Sequence, residues 1–316
     1  TGMQGRVTAA DQASGYADQP ITCNAELVGH VGESGGFKVE RYVDAAGREC
    51  AYFDGTPLFP IDVPGTIGTQ VVDMADPANP VVTAELATPA MLTPHESLLV
   101  NQRRGLLAAV MGNPAAYPGV IDVYDVSADC RRPQLRSVSP TGILGHESGF
   151  APDGRTFYAA SLATGTTTAV DVSDPSLPRT LWIGPYSSHG LTVNADGTRA
   201  YLAARTGAGP DGCCAGLIIL DTTEIQERVP VPQVEVVSTL TWPDVSIPQH
   251  ATPITIGGRQ YLLEVDEFAG GPLPAGADPA ASVGAARLID ITDGRNPTVV
   301  STIKLEVHLP ENRPLL

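Results

Sequence analysis

The sequence predicts an all-β fold, a β-propeller built from four-stranded blades. A turn signature that ends an apolar strand recurs five times, and a histidine-led segment recurs between its copies. No stretch of ten or more residues has the periodicity of an amphipathic helix. A unit of roughly 50 residues cannot bury its own apolar face, so successive repeats have to stack on one another.

The turn signature consists of an aspartate at the end of an apolar strand and a proline a few residues later. The side chain of such an aspartate accepts a backbone N–H two residues further on, and proline fixes φ in the turn. We therefore interpret these residues as turn aspartates rather than metal ligands. They are Asp73, Asp125, Asp171, Asp221 and Asp290.

The second motif starts with histidine and continues into a short strand, a turn and a strand of small residues. In two repeats the histidine is followed eight residues later by the glycine of an Asp-Gly turn and twelve residues later by tyrosine. These residues are His146, Gly154 and Tyr158 in one repeat and His189, Gly197 and Tyr201 in the next. His95 and His250 lead matching apolar segments, so four histidines hold one phase of the repeat.

Short alternating or small-residue segments predict the individual strands. The first hairpin is expected at 37–43 and 50–53, around an Ala-Ala-Gly turn. Further strands are expected at 81–86, 106–110, 157–161, 200–204 and 261–265.

The propeller is expected over residues 23–316, after a polar, flexible leader at 1–22. Five turn signatures predict at least five blades. The chain ends where a further blade would begin, which leaves a five-bladed ring and a seven-bladed propeller lacking C-terminal blades as alternatives.

Charge and motifs exclude several functions. The net charge is −16 and basic residues do not cluster, which excludes nucleic acid and anionic membrane surfaces as partners. No run of eighteen apolar residues predicts a transmembrane span. A nucleophile elbow, a phosphate-binding loop and a dinucleotide fingerprint are all missing from the sequence.

The chain has five cysteines without metal-finger spacing. Cys23 and Cys50 flank the first predicted strands, and we predict a disulfide between them. A disulfide, together with a low lysine content, favours a secreted or cell-surface protein.

The segment Val-Asp-Val-Ser-Asp-Pro-Ser-Leu-Pro at 170–178 and its copies resemble the LVIVD-repeat family of β-propellers, of the exported, actinobacterial type. The resemblance covers roughly residues 24–308. It implies the architecture and is nearly silent about chemistry, because fold alone does not fix function.

In a propeller the first strand of each blade lines the central channel, so equivalent residues of successive blades converge at its mouth. We therefore predict a transition-metal site formed by the four phased histidines, His95, His146, His189 and His250. Imidazole suits iron, copper and zinc. Glu96, Glu147 and Glu264 are predicted to lie next to these ligands and to orient them without binding the metal themselves.

This placement is similar to that in carotenoid-cleaving oxygenases, where four propeller histidines hold iron, and to the histidine-rich copper site of methanethiol oxidase, of the selenium-binding protein family. Two functions remain open at this point. The first is a metal-dependent oxidoreductase that acts on a small-molecule substrate. The alternative is a non-enzymatic binding or cell-surface scaffold for a protein partner.

Overall fold

The computed structural model describes residues 3–19, 22, 24–32, 36–55, 67–112, 119–140, 145–162, 164–209, 214–242, 247–267, 284–309 and 311–312. In these residues, strands form five antiparallel sheets of four strands each, and each sheet keeps the order of its strands in the chain. Each sheet is one blade, which confirms the predicted β-propeller.

The blades follow one another along the sequence. Blade 1 contains β1 (Val39–Val43), β2 (Glu49–Asp54), β3 (Thr69–Asp73) and β4 (Val81–Leu86). Blade 2 contains β5 (Leu99–Asn101), β6 (Leu106–Val110), β7 (Ile121–Asp125) and β8 (Gln134–Ser139). Blade 3 contains β9 (Gly149–Phe150), β10 (Thr156–Ser161), β11 (Thr166–Asp171) and β12 (Arg179–Gly184). Blade 4 contains β13 (Gly190–Val193), β14 (Arg199–Ala204), β15 (Gly216–Asp221) and β16 (Glu235–Thr241). Blade 5 contains β17 (Pro248–Ile256), β18 (Arg259–Asp266), β19 (Ala286–Asp290) and β20 (Thr298–Ile303).

Helices in the described part of the chain are short and lie outside the sheets, in the segments that precede or connect the strands. They are α1 (Ala9–Ala13), α2 (Pro89–Leu92) and α3 (Thr223–Gln226), with 3-10 turns at Tyr16–Asp18, His95–Ser97 and Glu306–His308. In the segment predicted as a leader, Thr8 caps α1 and the backbone N–H of Gln4 donates to Glu306 Oε2 over 2.8 Å. Nowhere in the described residues is a helix long and apolar enough to cross a membrane.

Burial orders the strands from the centre outwards. The first strands of neighbouring blades contact one another, from β1 through β5, β9 and β13 to β17. The second strands β6 and β10 are buried along their whole length, whereas every residue of the outermost β20 is exposed. The first strands therefore lie innermost, and residues that precede them lie at one end of the inner surface.

Apolar side chains between neighbouring blades form the core. Blades 1 and 2 pack through residues such as Tyr52 and Leu107, and blades 2 and 3 through residues such as Ile121 and Phe157. Similar clusters join blade 3 to blade 4 and blade 4 to blade 5. A strand presents alternate side chains to its two faces. Blades 2, 3 and 4 each have a neighbour on both sides, so each of them buries both faces of its sheet.

The five signature aspartates are turn residues, as predicted. Each one ends the third strand of its blade, and its Oδ1 accepts the backbone N–H two residues on over 2.9–3.0 Å. In every blade the pairing of the third and fourth strands also shifts register just before this aspartate. The repeated sequence motif therefore corresponds to a repeated structure, with the same turn and the same register shift in every blade.

The predicted pairing of Cys23 with Cys50 is wrong. Cys50 is disulfide-bonded to Cys130, with their Cα atoms 6.0 Å apart, and Cys23 lies outside the described residues. Cys50 belongs to the cluster between blades 1 and 2, so its side chain points at the neighbouring blade. There the Tyr52 hydroxyl donates to the Cys130 carbonyl over 2.8 Å, which holds the turn of Cys130 against β2. Cys214 is also disulfide-bonded.

The Cys50–Cys130 disulfide is expected to stabilise the packing of blade 1 on blade 2. It joins residues 80 positions apart. Closing such a loop in the unfolded chain contributes about 4.5 kcal/mol in the chain-entropy model. Urea denaturation of the Cys50→Ala/Cys130→Ala double variant should therefore show a loss of this order relative to wild type. An unchanged free energy of unfolding would contradict the expectation.

Candidate metal centre

The four phased histidines come from four consecutive blades. Two of them have the same backbone anchor, because His146 N–H donates to the Ala160 carbonyl over 2.7 Å and His189 N–H to the Ala203 carbonyl over 2.8 Å. His95 lies in the 3-10 turn before β5, and His250 lies within β17. His95 has a φ of 51°, a left-handed conformation that is uncommon for a residue other than glycine.

Three of the imidazole rings form a continuous stack. The ring centres of His95 and His146 are 4.2 Å apart, and those of His146 and His189 are 4.5 Å apart. Phe37 extends the stack on the other side of His95, at 4.1 Å. The stack spans blades 2, 3 and 4, whereas the common phase predicted that His250 of blade 5 would join it.

The imidazole nitrogens of this stack lie close to carboxylate oxygens of Glu96 and Glu267. His146 Nε2 lies 2.8 Å from His189 Nε2 and 3.3 Å from Glu96 Oε2. Glu96 Oε2 lies 3.5 Å from His95 Nδ1, and Glu267 Oε2 lies 3.2 Å from His189 Nε2. An ion with bonds of ~2.0–2.2 Å holds its ligand atoms about 3 Å apart. The ligand atoms of His95, Glu96 and His146 all lie within 4.8 Å of one another, a spacing that can hold one ion.

Hydrogen bonding leaves nitrogen lone pairs at the centre of the stack. His189 Nδ1 lies 2.8 Å from the Pro248 carbonyl, which only accepts, so the proton sits on Nδ1, and the lone pair of His189 Nε2 accepts a hydrogen bond from His146 Nε2 over 2.8 Å. His95 Nδ1 is buried and makes no hydrogen bond with the described residues. Buried polar atoms normally have a partner, and a bound cation would supply one here.

The stacked imidazoles are neutral. Burial and the neighbouring His189 lower the pKa of His95 to about 4. Burial together with His95 and His189 lowers the pKa of His146 to about 3. Burial also lowers the pKa of His189. Because imidazole binds a metal only in its neutral form, protons compete little for these nitrogens near neutral pH.

Burial raises the pKa of Glu96 to about 7, opposed by a hydrogen bond from Gln249 and reinforced by the charges of Glu147 and Glu267. Burial likewise raises the pKa of Glu267. Desolvation and the charges of Glu147 and Glu267 therefore act against the carboxylate form of Glu96, whereas the charge of Arg205 favours the carboxylate form of Glu267. A cation among them would offset both effects.

Glu147 contacts His250 and Lys38. Glu96, which was predicted to lie outside the ligands, instead has its Oε2 among the possible ligand atoms. The Oε1 of Glu147 lies 2.9 Å from His250 Nδ1 and 3.2 Å from Lys38 Nζ. Burial alone would raise the pKa of Glu147, but the hydrogen bond and charge of His250 and the charge of Lys38 outweigh it and lower the pKa to about 2. His250 thus differs from the other three histidines, because its Nδ1 binds this carboxylate instead of joining the stack.

The structure places Glu264 in contacts other than those predicted. Its side chain is fully buried and its Oε2 forms an ion pair with Arg287 at 2.8 Å. The Arg287 guanidinium lies over the Trp242 ring, where blade 5 packs on blade 4. The carboxylate that reaches the histidines from this strand is that of Glu267, which follows the end of β18. No spacing in the repeat singles out Glu267, so a search for repeated motifs does not find it.

Gly190 allows the close approach of blades 3, 4 and 5 around the centre. A Cβ at this position would lie 2.2 Å from the Gln249 carbonyl oxygen, 2.6 Å from Glu147 Oε2 and 2.9 Å from His250 Nδ1. No real side chain tolerates such distances, so the position requires glycine whatever its φ.

Comparison with known proteins shows the fold alone. No family model and no curated protein matches the chain. Among solved structures, hydrazine synthase of Kuenenia stuttgartiensis is 14% identical over 91% of this chain and 70% of its own, with a TM-score of 0.52. A functionally unknown protein of Desulfotomaculum acetoxidans is 10% identical over 85% of this chain and 72% of its own, with a TM-score of 0.52. Sqt1 of Saccharomyces cerevisiae is 10% identical over 86% of this chain and 63% of its own, with a TM-score of 0.51.

Replacing Gly190 by alanine should destabilise the protein. The added methyl group overlaps a backbone carbonyl and the Glu147 carboxylate, and overpacking of this kind costs roughly 1–3 kcal/mol. The matched control is Gly294→Ala, because a Cβ at Gly294 meets no atom within 4 Å. Chemical denaturation should separate the two variants, and equal stabilities would show that the centre accommodates the methyl group.

Proposed function

We propose that His95, His146, His189 and Glu96 hold one transition-metal ion and that the protein is a metal-dependent oxidoreductase. The observation that carries this proposal is the convergence of nitrogen and carboxylate donor atoms of His95, Glu96 and His146 within 4.8 Å of one another, with His189 Nε2 2.8 Å from His146 Nε2. Blades 2, 3 and 4 supply the nitrogens. Blade 2 also supplies the carboxylate.

The donor set favours iron, copper or zinc. It combines neutral imidazoles with a carboxylate, which is the ligand type of non-haem iron and of many copper and zinc sites. With the metal bound, dioxygen or a small substrate could bind at a free coordination position. The carboxylate of Glu267 is 36% exposed while His189 beside it is 2% exposed, so Glu267 marks the side from which a substrate can approach. In this proposal its carboxylate accepts a proton from that substrate.

Export and family membership are part of the same proposal. The Cys50–Cys130 disulfide and the disulfide-bonded Cys214 support an oxidising compartment, outside the cytosol. The turn aspartates, which repeat once per blade with the same hydrogen bond, support membership of the LVIVD-repeat propellers. A small-molecule substrate fits the proposal, and a protein partner belongs to the alternative of a non-enzymatic scaffold.

Metal binding is expected at one ion per chain in the purified protein. Equilibrium dialysis followed by elemental analysis, with iron, copper, zinc and cobalt in turn, measures the stoichiometry. His146→Ala removes a donor at the centre of the stack. It should weaken binding by more than the roughly 10–100-fold typical of losing an outer hydrogen-bond partner. The loss should appear also as a smaller rise in melting temperature on adding metal, because a ligand stabilises the folded state that binds it.

The matched control is His30→Ala, since His30 is exposed and lies outside the stack. This variant should bind metal as the wild type does. If the wild-type protein binds none of the four metals at micromolar concentration, the metal centre is refuted and the non-enzymatic scaffold takes its place.

A further inference from the structure

We propose that Gln249 is a positioning residue of the metal centre, whose side-chain amide holds Glu96 ready for coordination and fixes Glu147 behind it. The inference rests on the proposed metal site, and it adds a residue that belongs to neither the histidine phase nor the set of ligand atoms. Gln249 lies on β17 in blade 5, whereas the two glutamates come from blades 2 and 3.

One nitrogen of Gln249 binds both carboxylates. Its Nε2 donates to Glu96 Oε2 over 2.8 Å and to Glu147 Oε2 over 2.9 Å. An amide nitrogen carries two hydrogens, so the two bonds use its full donor capacity. The distance between the two carboxylates is thereby set by a single group.

The bond to Glu96 falls on the oxygen that faces the histidines. Glu96 Oε2 is the atom that lies 3.3 Å from His146 Nε2 and 3.5 Å from His95 Nδ1. Hydrogen bonds to the ligands of a metal fix their orientation, and their loss typically lowers metal affinity about 10–100-fold. Gln249 therefore fixes the position of the Glu96 carboxylate before a metal ion binds.

The bond to Glu147 completes the contacts of that side chain. Its Oε1 meets Lys38 and His250, and its Oε2 meets Gln249, so both oxygens are engaged. Glu147 in turn binds Nδ1 of His250. A neutral amide at position 249 provides these bonds without adding a third negative charge beside the two carboxylates.

The backbone around Gln249 belongs to the same arrangement. The carbonyl of Pro248 accepts the proton of His189 Nδ1, and the carbonyl of Gln249 lies against Gly190. Two consecutive residues of blade 5, Pro248 and Gln249, thus orient His189 and the two glutamates. Blade 5 acts on the centre by positioning the ligands of other blades.

Cobalt(II) titration tests the role of Gln249, because the visible absorption of bound cobalt reports both affinity and ligand geometry. Gln249→Met keeps the length of the side chain and removes both hydrogen bonds, and Gln249→Leu is a second variant of the same kind. We expect cobalt affinity about 10–100-fold below wild type and a changed absorption spectrum. The matched control is Gln102→Met, because Gln102 donates only to a carbonyl on the exposed surface and should leave both readouts unchanged.

The outcomes separate this inference from the metal site itself. If the wild type binds no cobalt, the metal site fails and the role of Gln249 fails with it. If the wild type binds cobalt and either Gln249 variant, melting at the wild-type temperature without metal, shows wild-type affinity and spectrum, only the positioning role is overturned. A weaker affinity with a wild-type spectrum also overturns it, because loss of positioning has to change the ligand geometry.

Discussion

Packing of each blade against its neighbours is the constraint on which the rest of the structure depends. The second strands that make these contacts are rich in small residues, such as Ala159 and Ala160 in β10 and Ala203 and Ala204 in β14, which are all buried. Small side chains let the sheets approach closely, and close-packed interiors leave little freedom of position. The residue before each first strand is therefore fixed relative to the next blade, which is why imidazoles from three blades stack at 4.2–4.5 Å.

The same packing creates an electrostatic imbalance at the centre. Burial and the charges of Glu147 and Glu267 raise the pKa of Glu96, while Lys38 binds Glu147 and the charge of Arg205 acts on Glu267. Burying carboxylates is costly unless they are paired, and the stacked imidazoles of His95, His146 and His189 are neutral. A bound metal ion would balance the charge and would bind the imidazole nitrogens that face the carboxylates. The electrostatics of the site and its geometry therefore support the same proposal.

Much of the architecture follows from local sequence pattern. β4 and β6 cover the predicted residues without change, and the other predicted strands agree with the structure to within about two residues, as expected of element boundaries. The turn aspartates make the hydrogen bonds that their chemistry predicts, because an aspartate and its acceptor lie two residues apart in the chain. The common phase of His95, His146 and His189 brought these rings together for a related reason: repeats that stack in one way bring equivalent positions to neighbouring places.

The sequence by itself thus determined the propeller, its blade boundaries, the turn chemistry and the histidines of the stack. The tertiary structure alone decided the partner of Cys50, the pairing of Glu264 with Arg287, the approach of Glu267 and the bridge made by Gln249. Each of these contacts joins residues of different strands or blades through side chains whose direction depends on the packing. A repeat pattern reveals only the residues that the blades have in common. Contacts between blades at the centre depend on residues that differ from blade to blade, and their partners are known only once the blades are packed together.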